Sequence, residues 1–310
     1  MHFATFILDN KEKIGVLTAD RQGIIPIEEI IPENPPHTML ELIKRFDHEN
    51  KERGHTSCGG MSPTNDYLAL IRKATVEKNG ISLDMVKITA PIPHPARGVI
   101  CLGKNYREHV KEMAGAASEA EKIPAYPVYF LKMVDRAAGH NDNIPAHAGI
   151  TTELDYEVEL AVVIGKQGQN IPAEKAEEYI FGYTIINDIT ARNLQRQHAQ
   201  WFRGKSLDGT CPMGPYLVHK SAVKYPPELA IKCHVNGELR QNANTRDLIY
   251  SIEHIISEFS KGITLLPGDI ISTGTPGGVG MGFKPGKFLQ PGDEVECYIE
   301  SIGRLRNKIG

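Results

Sequence analysis

Four acidic residues alternate with apolar ones in ELDYEVELAVVIG, residues 153–165 of this 310-residue chain. A period of two is typical of a β-strand, so Glu153, Asp155, Glu157 and Glu159 are expected to share one face. Next-nearest strand residues lie about 6.6 Å apart, which lets the last two carboxylates point at one ion. A solvated surface strand is the alternative, but the apolar continuation AVVIG favours a central strand. Oxygen ligands would favour Mg²⁺ or Mn²⁺ over zinc.

A second polar stretch, NDITARNLQRQHAQWFRGKSLDG, covers residues 187–209. Asp188 follows a strand-like run and precedes a helix-like one, which is the usual setting of a helix N-cap. It also forms a single helical stripe with Arg192 and Gln195, at i, i+4 and i+7, and such a stripe can face one site. Lys205 lies in a Gly-Lys-Ser turn without the upstream glycine of a phosphate-binding loop, so a solvated lysine remains the alternative.

Two further stretches could carry chemistry. In GKNYREHVKEMAG, His109 and Glu112 stand at i and i+3 of a short predicted helix. A carboxylate beside a histidine makes a base at neutral pH, although 12 histidines also produce such pairs by chance. The glycine-dense STGTPGGVGMG, residues 272–282, lets backbone amides approach a ligand, but it lacks the G-x-G-x-x-G pattern of nucleotide sites. A purely structural loop remains open.

The bulk composition excludes several classes of protein. With 24% charged residues and a net charge of −3, the chain has no basic excess for nucleic acid or an anionic membrane. The N-terminus does not resemble a signal peptide, and no apolar run approaches the roughly 20 residues that span a bilayer. The five cysteines are scattered without a C-x-x-C pair, so no disulfide framework or zinc site is expected. We expect a cytoplasmic protein with a small-molecule partner.

The elements that must position these residues fall into two predicted units. Strands over 2–8 and 14–18 and helices over 37–52 and 65–77 form a small α+β domain, residues 1–92, which ends at the proline-rich APIPHPARG. Residues 93–310 form the second domain. Its many short strand-like runs and few helices, at 106–114, 173–179, 190–202 and 247–261, predict an α+β, β-rich fold with antiparallel or mixed sheets.

Taken in order, these stretches resemble the fumarylacetoacetate hydrolase family. The matching pieces cover nearly all of residues 95–282 and include GKNYREH, PVYFLK, LDYEVELAVVIGK, GYTIINDITARNLQ, GKSLDGTCPMGP, VNGELRQ and GDIISTGTPGGVG. The layout is most similar to bacterial members that place a smaller domain before the catalytic one. The resemblance implies a mixed β-roll or sandwich core and a homodimer.

The resemblance also implies roles for matching residues. Three would bind Mg²⁺ or Mn²⁺: Glu157, Glu159 and Asp188. Three would be catalytic, with the first two forming a dyad on a lid helix: His109, Glu112 and Lys205. Four would contact a 2-oxo acid substrate: Gln195, Thr275, Lys132 and Arg192. The MAGAASEAE segment that follows the lid helix would become ordered over the ligand.

Family members differ in reaction, so fold alone does not select one. We expect a divalent-metal-dependent hydrolase that cleaves a carbon–carbon bond in acylpyruvate-type 2,4-dioxo acids through a metal-stabilised enolate. Oxaloacetate decarboxylase and 2-hydroxyhepta-2,4-diene-1,7-dioate isomerase are the alternatives. A non-catalytic dicarboxylate-binding or scaffold protein is a further alternative. An NAD or phosphate enzyme is disfavoured by the missing fingerprints.

Overall fold

The structure, a computed structural model, describes residues 1–55, 67–114 and 123–310. In this part of the chain the strands are β1 His2–Leu8, β2 Lys11–Leu17, β3 Gly23–Pro26, β4 Ile81–Ser82, β5 Lys87–Ile88, β6 Val99–Gly103, β7 Val128–Lys132, β8 Asn143–Ile144, β9 Leu154–Asp155, β10 Val158–Ile164, β11 Ile180–Asn187, β12 Thr190–Ala191, β13 Met213–His219, β14 Ala230–Val235, β15 Glu238–Asn244, β16 Ile270–Ser272, β17 Glu294–Ile299 and β18 Gly303–Ile309. The α-helices are α1 Ile27–Ile30, α2 Met39–His55, α3 Tyr67–Glu77, α4 Arg107–Ala114, α5 Ala176–Tyr179, α6 Arg192–Gln197, α7 Phe202–Lys205 and α8 Ile252–Phe259.

The fold is α+β and rich in sheet, as predicted. An 11-stranded sheet follows the order β4-β3-β2-β1-β13-β11-β10-β16-β6-β7, with β5 paired to β1. A five-stranded sheet has the order β15-β14-β17-β18-β8, and β9 pairs with β12. The large sheet is mixed, because β16 pairs with β6 in parallel while β10 runs antiparallel to both β11 and β16.

The central strand β10 separates two cores. All seven of its residues are buried, as expected for a strand covered on both faces. Leu160 and Val162 belong to the core shared with the five-stranded sheet. Ala161 and Val163 point to the other face and pack with the N-terminal strands and α2. Burial of each leucine or valine contributes about 1.5–3 kcal/mol, and burial of the alanine less, so this strand is a rigid support. Glu159 lies on the second face, at the end where the apolar packing stops.

The N-terminal unit extends the large sheet rather than standing apart from it, because β1 pairs with β13. The predicted helices 37–52 and 65–77 correspond to α2 and α3, although residues 65 and 66 lie outside the described part. Strand β2 begins three residues earlier than predicted, since Asp9 and Asn10 adopt positive φ angles and form a tight hairpin turn. The boundary at residue 92 and the homodimer stay predictions.

No helix in the described ranges has the length and apolar character needed to cross a bilayer.

Candidate metal site and active site

The acidic run is not one strand, and this corrects the sequence-based expectation. Strand β9 ends at Asp155 and pairs with β12, whereas β10 begins at Val158 and pairs with β11. Between them the backbone N–H of Glu157 donates to Asn187 Oδ1 at 3.0 Å, a side-chain bond that replaces a ladder bond. The four carboxylates therefore separate. Glu153 points outward and accepts a bond of 2.5 Å from the Arg196 guanidinium.

Asp155 turns towards the glycine loop and an arginine. Its carboxylate accepts bonds from Arg192 Nε at 2.8 Å and from the backbone N–H groups of Gly280 and Met281 at 2.6 and 3.1 Å. A Cβ on Gly280 would come 2.6 Å from this carboxylate, so glycine is needed for the approach. Asp155 thus anchors the loop beside the site, a role that its place in the alternating run did not indicate.

Three carboxylates converge in the interior. One oxygen each of Glu157, Glu159 and Asp188 lies within 4.8 Å of the others, and all three residues are buried. The first two flank the start of β10, and the third follows the end of β11. Ser272 Oγ and the backbone N–H of Gly274 donate to Glu159 Oε2 at 2.5 and 3.0 Å, which fixes its orientation. The residues predicted as metal ligands are thus brought together.

Two lysines lie within this group of carboxylates. Lys205 Nζ donates to Glu157 Oε2 at 2.7 Å and to Asp188 Oδ2 at 2.6 Å. Lys132 Nζ lies 2.8 Å from Asp188 Oδ1 and donates at 2.8 Å to the carbonyl of Ile189. Both ammonium groups are buried, so these contacts are little screened by solvent. The solvated-lysine alternative for Lys205 is wrong.

Arg192 links the carboxylates to a predicted substrate residue. Its Nη2 donates to Glu157 Oε1 at 2.6 Å and its Nη1 to Gln195 Oε1 at 3.1 Å. The predicted helical stripe is incorrect, because β12 intervenes and α6 begins only at Arg192. Asp188 is not the N-cap, since that position belongs to Ala191. The predicted helix 190–202 is therefore two short helices, yet Arg192 and Gln195 of the stripe still touch, and Asp188 is linked to Arg192 through Lys205 and Glu157.

Electrostatics make this cluster receptive to a divalent cation. Burial opposes ionisation of Glu157, but Lys205 and Arg192 outweigh it and hold its pKa below the usual value. Burial, reinforced by Asp188 and Glu157, raises the pKa of Glu159 to about 8. Together with Asp155, the three converging residues make four carboxylates. The cations paired with them are three: Lys132, Arg192 and Lys205. One negative charge is in excess when all are ionised. The residues fit a hard divalent ion, whose binding would change the net charge of the cluster from −1 to +1 when all groups are ionised. The positive charge would then attract an anionic ligand.

The histidine dyad lies on α4 above these carboxylates. His109 Nδ1 lies 3.5 Å from Glu112 Oε2, a loose contact of the kind that shortens when a ligand binds. The Glu112 carboxylate accepts the backbone N–H of Gly278 at 3.0 and 3.1 Å, and a Cβ on Gly282 would overlap it. The glycine loop thus holds the dyad. Most of the MAGAASEAE segment, residues 115–121, lies outside the described residues.

His109 of the dyad and two of the carboxylates border one small cavity of about 20 Å³, enough for a water or an ion. His109, Gln195, Thr275 and Arg192 line it, together with Lys205 and two of the carboxylates, Glu157 and Glu159. Lys132 is not among the lining residues and lies behind Asp188. Thr275 Oγ1 donates to the carbonyl of Val158 at 3.0 Å and accepts from Gln241 at 2.8 Å, so it also fixes the loop.

Sequence reasoning missed four residues of this site. Ser272 lies within the glycine loop motif, whose first residues had no assigned role. Phe130 lies in the matched piece PVYFLK, in which nothing distinguished it from the neighbouring apolar residues. Trp201 lines the cavity and is the only tryptophan of the chain, four residues before Lys205, which was a usable signal. Asp155 was seen only as part of an acidic face.

Comparisons with known proteins show similarity along the whole chain. A family model described as fumarylacetoacetate (FAA) hydrolase C-terminal matches residues 98–310. Oxaloacetate tautomerase YisK from Bacillus subtilis (strain 168) is 55% identical over 315 residues, covering 100% of both chains. A fumarylacetoacetate hydrolase structure from Exiguobacterium antarcticum is 37% identical with a TM-score of 0.78, covering 100% of this chain and 99% of that one. A maleylpyruvate hydrolase from Sphingobium sp. SYK-6, in complex with manganese(II) and pyruvate, is 29% identical with a TM-score of 0.73, covering 100% and 98%.

Proposed function

The chain belongs to the fumarylacetoacetate hydrolase family, and we propose that it interconverts the keto and enol forms of oxaloacetate with a divalent cation bound by Glu157, Glu159 and Asp188. The observation that carries this proposal is the 55% identity, along the whole chain, to a relative named as an oxaloacetate tautomerase. The buried carboxylates and the adjacent dyad supply the chemistry that such a reaction needs.

Keto–enol exchange moves one proton from C3 of oxaloacetate to the oxygen on C2, without net uptake of water or electrons. When bound, Mg²⁺ or Mn²⁺ would draw electron density from the 2-oxo carbonyl and so acidify the C3 hydrogens. The charge of the buried cluster supports this assignment, because a divalent ion makes the site positive and so favours binding of the anionic substrate.

The proton would be carried by His109. Its Nδ1 faces Glu112, so Nε2 is the nitrogen left to take the C3 proton and to return it to the C2 oxygen. Glu112 stabilises the imidazolium during this transfer and is itself held by the Gly278 N–H. Lys205 adds positive charge next to the carboxylates, which lowers the energy of the developing enolate.

Gln195 would hold the acid end of the substrate. Arg192 occupies Gln195 Oε1, which leaves the amide nitrogen of Gln195 as the donor towards a carboxylate. Thr275 also lines the cavity and directly follows Gly274, whose N–H fixes Glu159, but the Val158 carbonyl uses its hydroxyl proton, so Thr275 would contact the substrate without donating that proton. Lys132 and Arg192 then act indirectly: they orient Asp188 and Glu157 and do not touch the substrate.

Hydrolysis of acylpyruvates is the second candidate. The same dyad could take its proton from water instead of carbon, and the solved maleylpyruvate hydrolase with manganese(II) and pyruvate favours this option. Sequence reasoning placed hydrolysis first; the full-length similarity to a tautomerase moves keto–enol exchange ahead of it. Decarboxylation of oxaloacetate and isomerisation of hydroxy-dienedioates would use the same cluster. A scaffold role needs none of these groups, and the presence of the whole set argues against it.

The test is a comparison of reactions on one preparation. Manganese-loaded protein should speed the ultraviolet decay of enol-oxaloacetate well above the rate with Mn²⁺ alone, and His109→Ala should reduce this by about 10²–10⁴-fold. Glu108→Ala, on the exposed side of the same helix, should match the parent. Acetylpyruvate loss and carbon dioxide release are followed in parallel. If acetylpyruvate is cleaved while the enol decays at the background rate, the hydrolase assignment replaces this one.

A further inference from the structure

The lining of this small cavity combines two kinds of side chain. The polar ones include Glu157, Glu159, Lys205, Gln195 and Thr275, and the apolar ones are Leu102, Met113, Phe130 and Trp201. Because the acid and 2-oxo groups of a substrate need the polar side chains, the rest of the molecule must contact the apolar ones. Trp201 is the largest of the apolar side chains.

The tryptophan ring is held by close contacts on two sides. A Cβ on Gly103 would lie 2.3 Å from Cζ3 of the Trp201 ring, so the ring uses the space that only a glycine leaves open. The rings of Phe130 and Trp201 meet edge to face, with centroids 5.5 Å apart and an interplanar angle of 69°. An edge-to-face pair of this kind stabilises one defined ring position.

The same residue is tied to the catalytic lysine. The carbonyl of Trp201 accepts the backbone N–H groups of Gly204 at 2.9 Å and of Lys205 at 3.2 Å, so the tryptophan starts the turn that carries the ammonium group. Lys205 Nζ also lies 5.0 Å from the centroid of the Phe130 ring. The aromatic wall formed by Phe130 and Trp201 is therefore directly connected to Lys205.

Because the cavity is small, the position of this wall determines which substrates fit. A volume of about 20 Å³ holds a water or an ion but not a four-carbon acid, so a substrate must displace part of the lining. Residues 196–200, which lead into Trp201, are all exposed, so this side of the wall is bordered by solvent rather than by core. The opposite side is formed by the buried strand β6, which cannot yield without breaking the large sheet.

We propose that Trp201, packed against Gly103 and Phe130, sets the size limit of the substrate, admitting acids of the length of oxaloacetate and excluding those with a longer chain beyond the 2-oxo group. The inference rests on the proposed function, since the polar lining residues must hold the 2-oxo acid. One methylene that a pocket cannot accommodate changes the preference between two ligands by about 10–200-fold. A single aromatic wall is therefore enough to set a clear limit on substrate length.

Binding measurements test this wall without requiring turnover. The protein is loaded with Mg²⁺, and the dissociation constants of pyruvate and 2-oxohexanoate are measured by calorimetry. The parent should prefer pyruvate by at least about tenfold. Trp201→Ala should reduce that preference at least tenfold, mainly by tighter binding of the longer acid, and Trp201→Phe should give an intermediate ratio. If Trp201→Ala binds both acids with an unchanged ratio, the proposal is overturned, whether or not oxaloacetate is a substrate.

A double-mutant comparison tests the contact itself. Gly103→Ala should weaken pyruvate binding in the parent, because the added Cβ displaces the ring, and should change it less than twofold in Trp201→Ala. Equal effects of Gly103→Ala in both backgrounds would contradict the contact. As the only tryptophan, Trp201 should also change its fluorescence when pyruvate binds to the Mg²⁺-loaded parent; unchanged emission on binding would overturn its place in the wall. If neither acid binds the Mg²⁺-loaded parent, this inference fails, whereas the proposed function is decided separately by the decay of enol-oxaloacetate.

Discussion

Lys205 Nζ lies 2.6 Å from Asp188 Oδ2, and at most 2% of either side chain is exposed. The lysine ends the short helix α7, whereas the aspartate follows the central strand β11, so the contact joins two separate parts of the chain. Burial opposes the charge on Lys205, but Asp188 and Glu157 outweigh it and raise its pKa. A permanent positive charge therefore lies among carboxylates that we assign to a cation, and the two charges are expected to compete.

Removal of this ammonium group should expose the competition. Lys205→Met removes one of the two cationic partners of each of the buried carboxylates Glu157 and Asp188, which keep Arg192 and Lys132, and we expect the free energy of unfolding to fall by about 3–5 kcal/mol in metal-free protein. Mn²⁺ should then raise the melting temperature of the variant more than that of the parent, since it binds only the folded site. Thermal melts with and without Mn²⁺ provide the measurement.

A matched control for this variant lies on the surface. Lys287→Met removes an ion pair with Glu238 in which both side chains are more than two-fifths exposed, and it should cost at most about 1 kcal/mol with the same response to Mn²⁺ as the parent. An equal Mn²⁺ response in Lys205→Met and the parent would argue that the lysine and the metal do not share the carboxylates.

The affinity for Mn²⁺ should depend on pH through Glu159. Burial and the neighbouring carboxylates Asp188 and Glu157 raise its pKa to about 8, so the metal-free site binds a proton that the metal must displace. Below pH 8 the affinity for Mn²⁺ should therefore increase by about tenfold for each unit by which the pH increases, and Mn²⁺ binding should release close to one proton. Calorimetry at pH 6, 7 and 8 in buffers of different ionisation enthalpy measures both. A flat affinity over this range would contradict the assignment.

A buried histidine far from the metal site should control stability in acid. Burial lowers the pKa of His219 from 6.5 to about 3, so between these values the unfolded chain binds more protons than the folded one. Stability should thus be unaffected by this residue above pH 6.5 and should fall as the pH drops below it, by up to about 1.4 kcal/mol per pH unit.

Urea unfolding between pH 4.5 and 7.5 tests this dependence. His219→Asn keeps an acceptor for the Ser221 N–H but cannot ionise, so its stability should fall less steeply with acid than that of the parent. His37→Asn alters an exposed histidine and should keep the parent slope. The same slope in His219→Asn and the parent would assign the acid sensitivity to other groups.

The sequence predicted the residues of the site better than the backbone that holds them. Glu157 and Glu159 were paired correctly because a two-residue spacing survives the strand break between β9 and β10. The break itself depends on Asn187, which is distant in sequence and satisfies the backbone of Glu157. Such a long-range bond leaves no mark in local periodicity, so the single acidic strand was expected in error.

The backbone around Asp188 was also mispredicted because of a long-range contact. Its spacing to Arg192 and Gln195 matched a helix, but the pairing of β12 with β9 pulls residues 190 and 191 into a bridge first. The link between Arg192 and Asp155, 37 positions apart in sequence, likewise required the folded chain. Residue types and family motifs thus indicated which chemistry to expect, whereas tertiary contacts decided which groups meet.

The central claim is that Glu157, Glu159 and Asp188 hold one divalent cation, and Mn²⁺ titration of Glu159→Gln at pH 8 tests it most directly. The parent and the control Glu153→Gln, whose carboxylate belongs to the same acidic run but pairs with Arg196 outside the cluster, should each bind one Mn²⁺ per chain with equal affinity. Glu159→Gln should bind at least about 100-fold more weakly, because it loses a charged oxygen ligand. Unchanged Mn²⁺ affinity in Glu159→Gln would contradict the account.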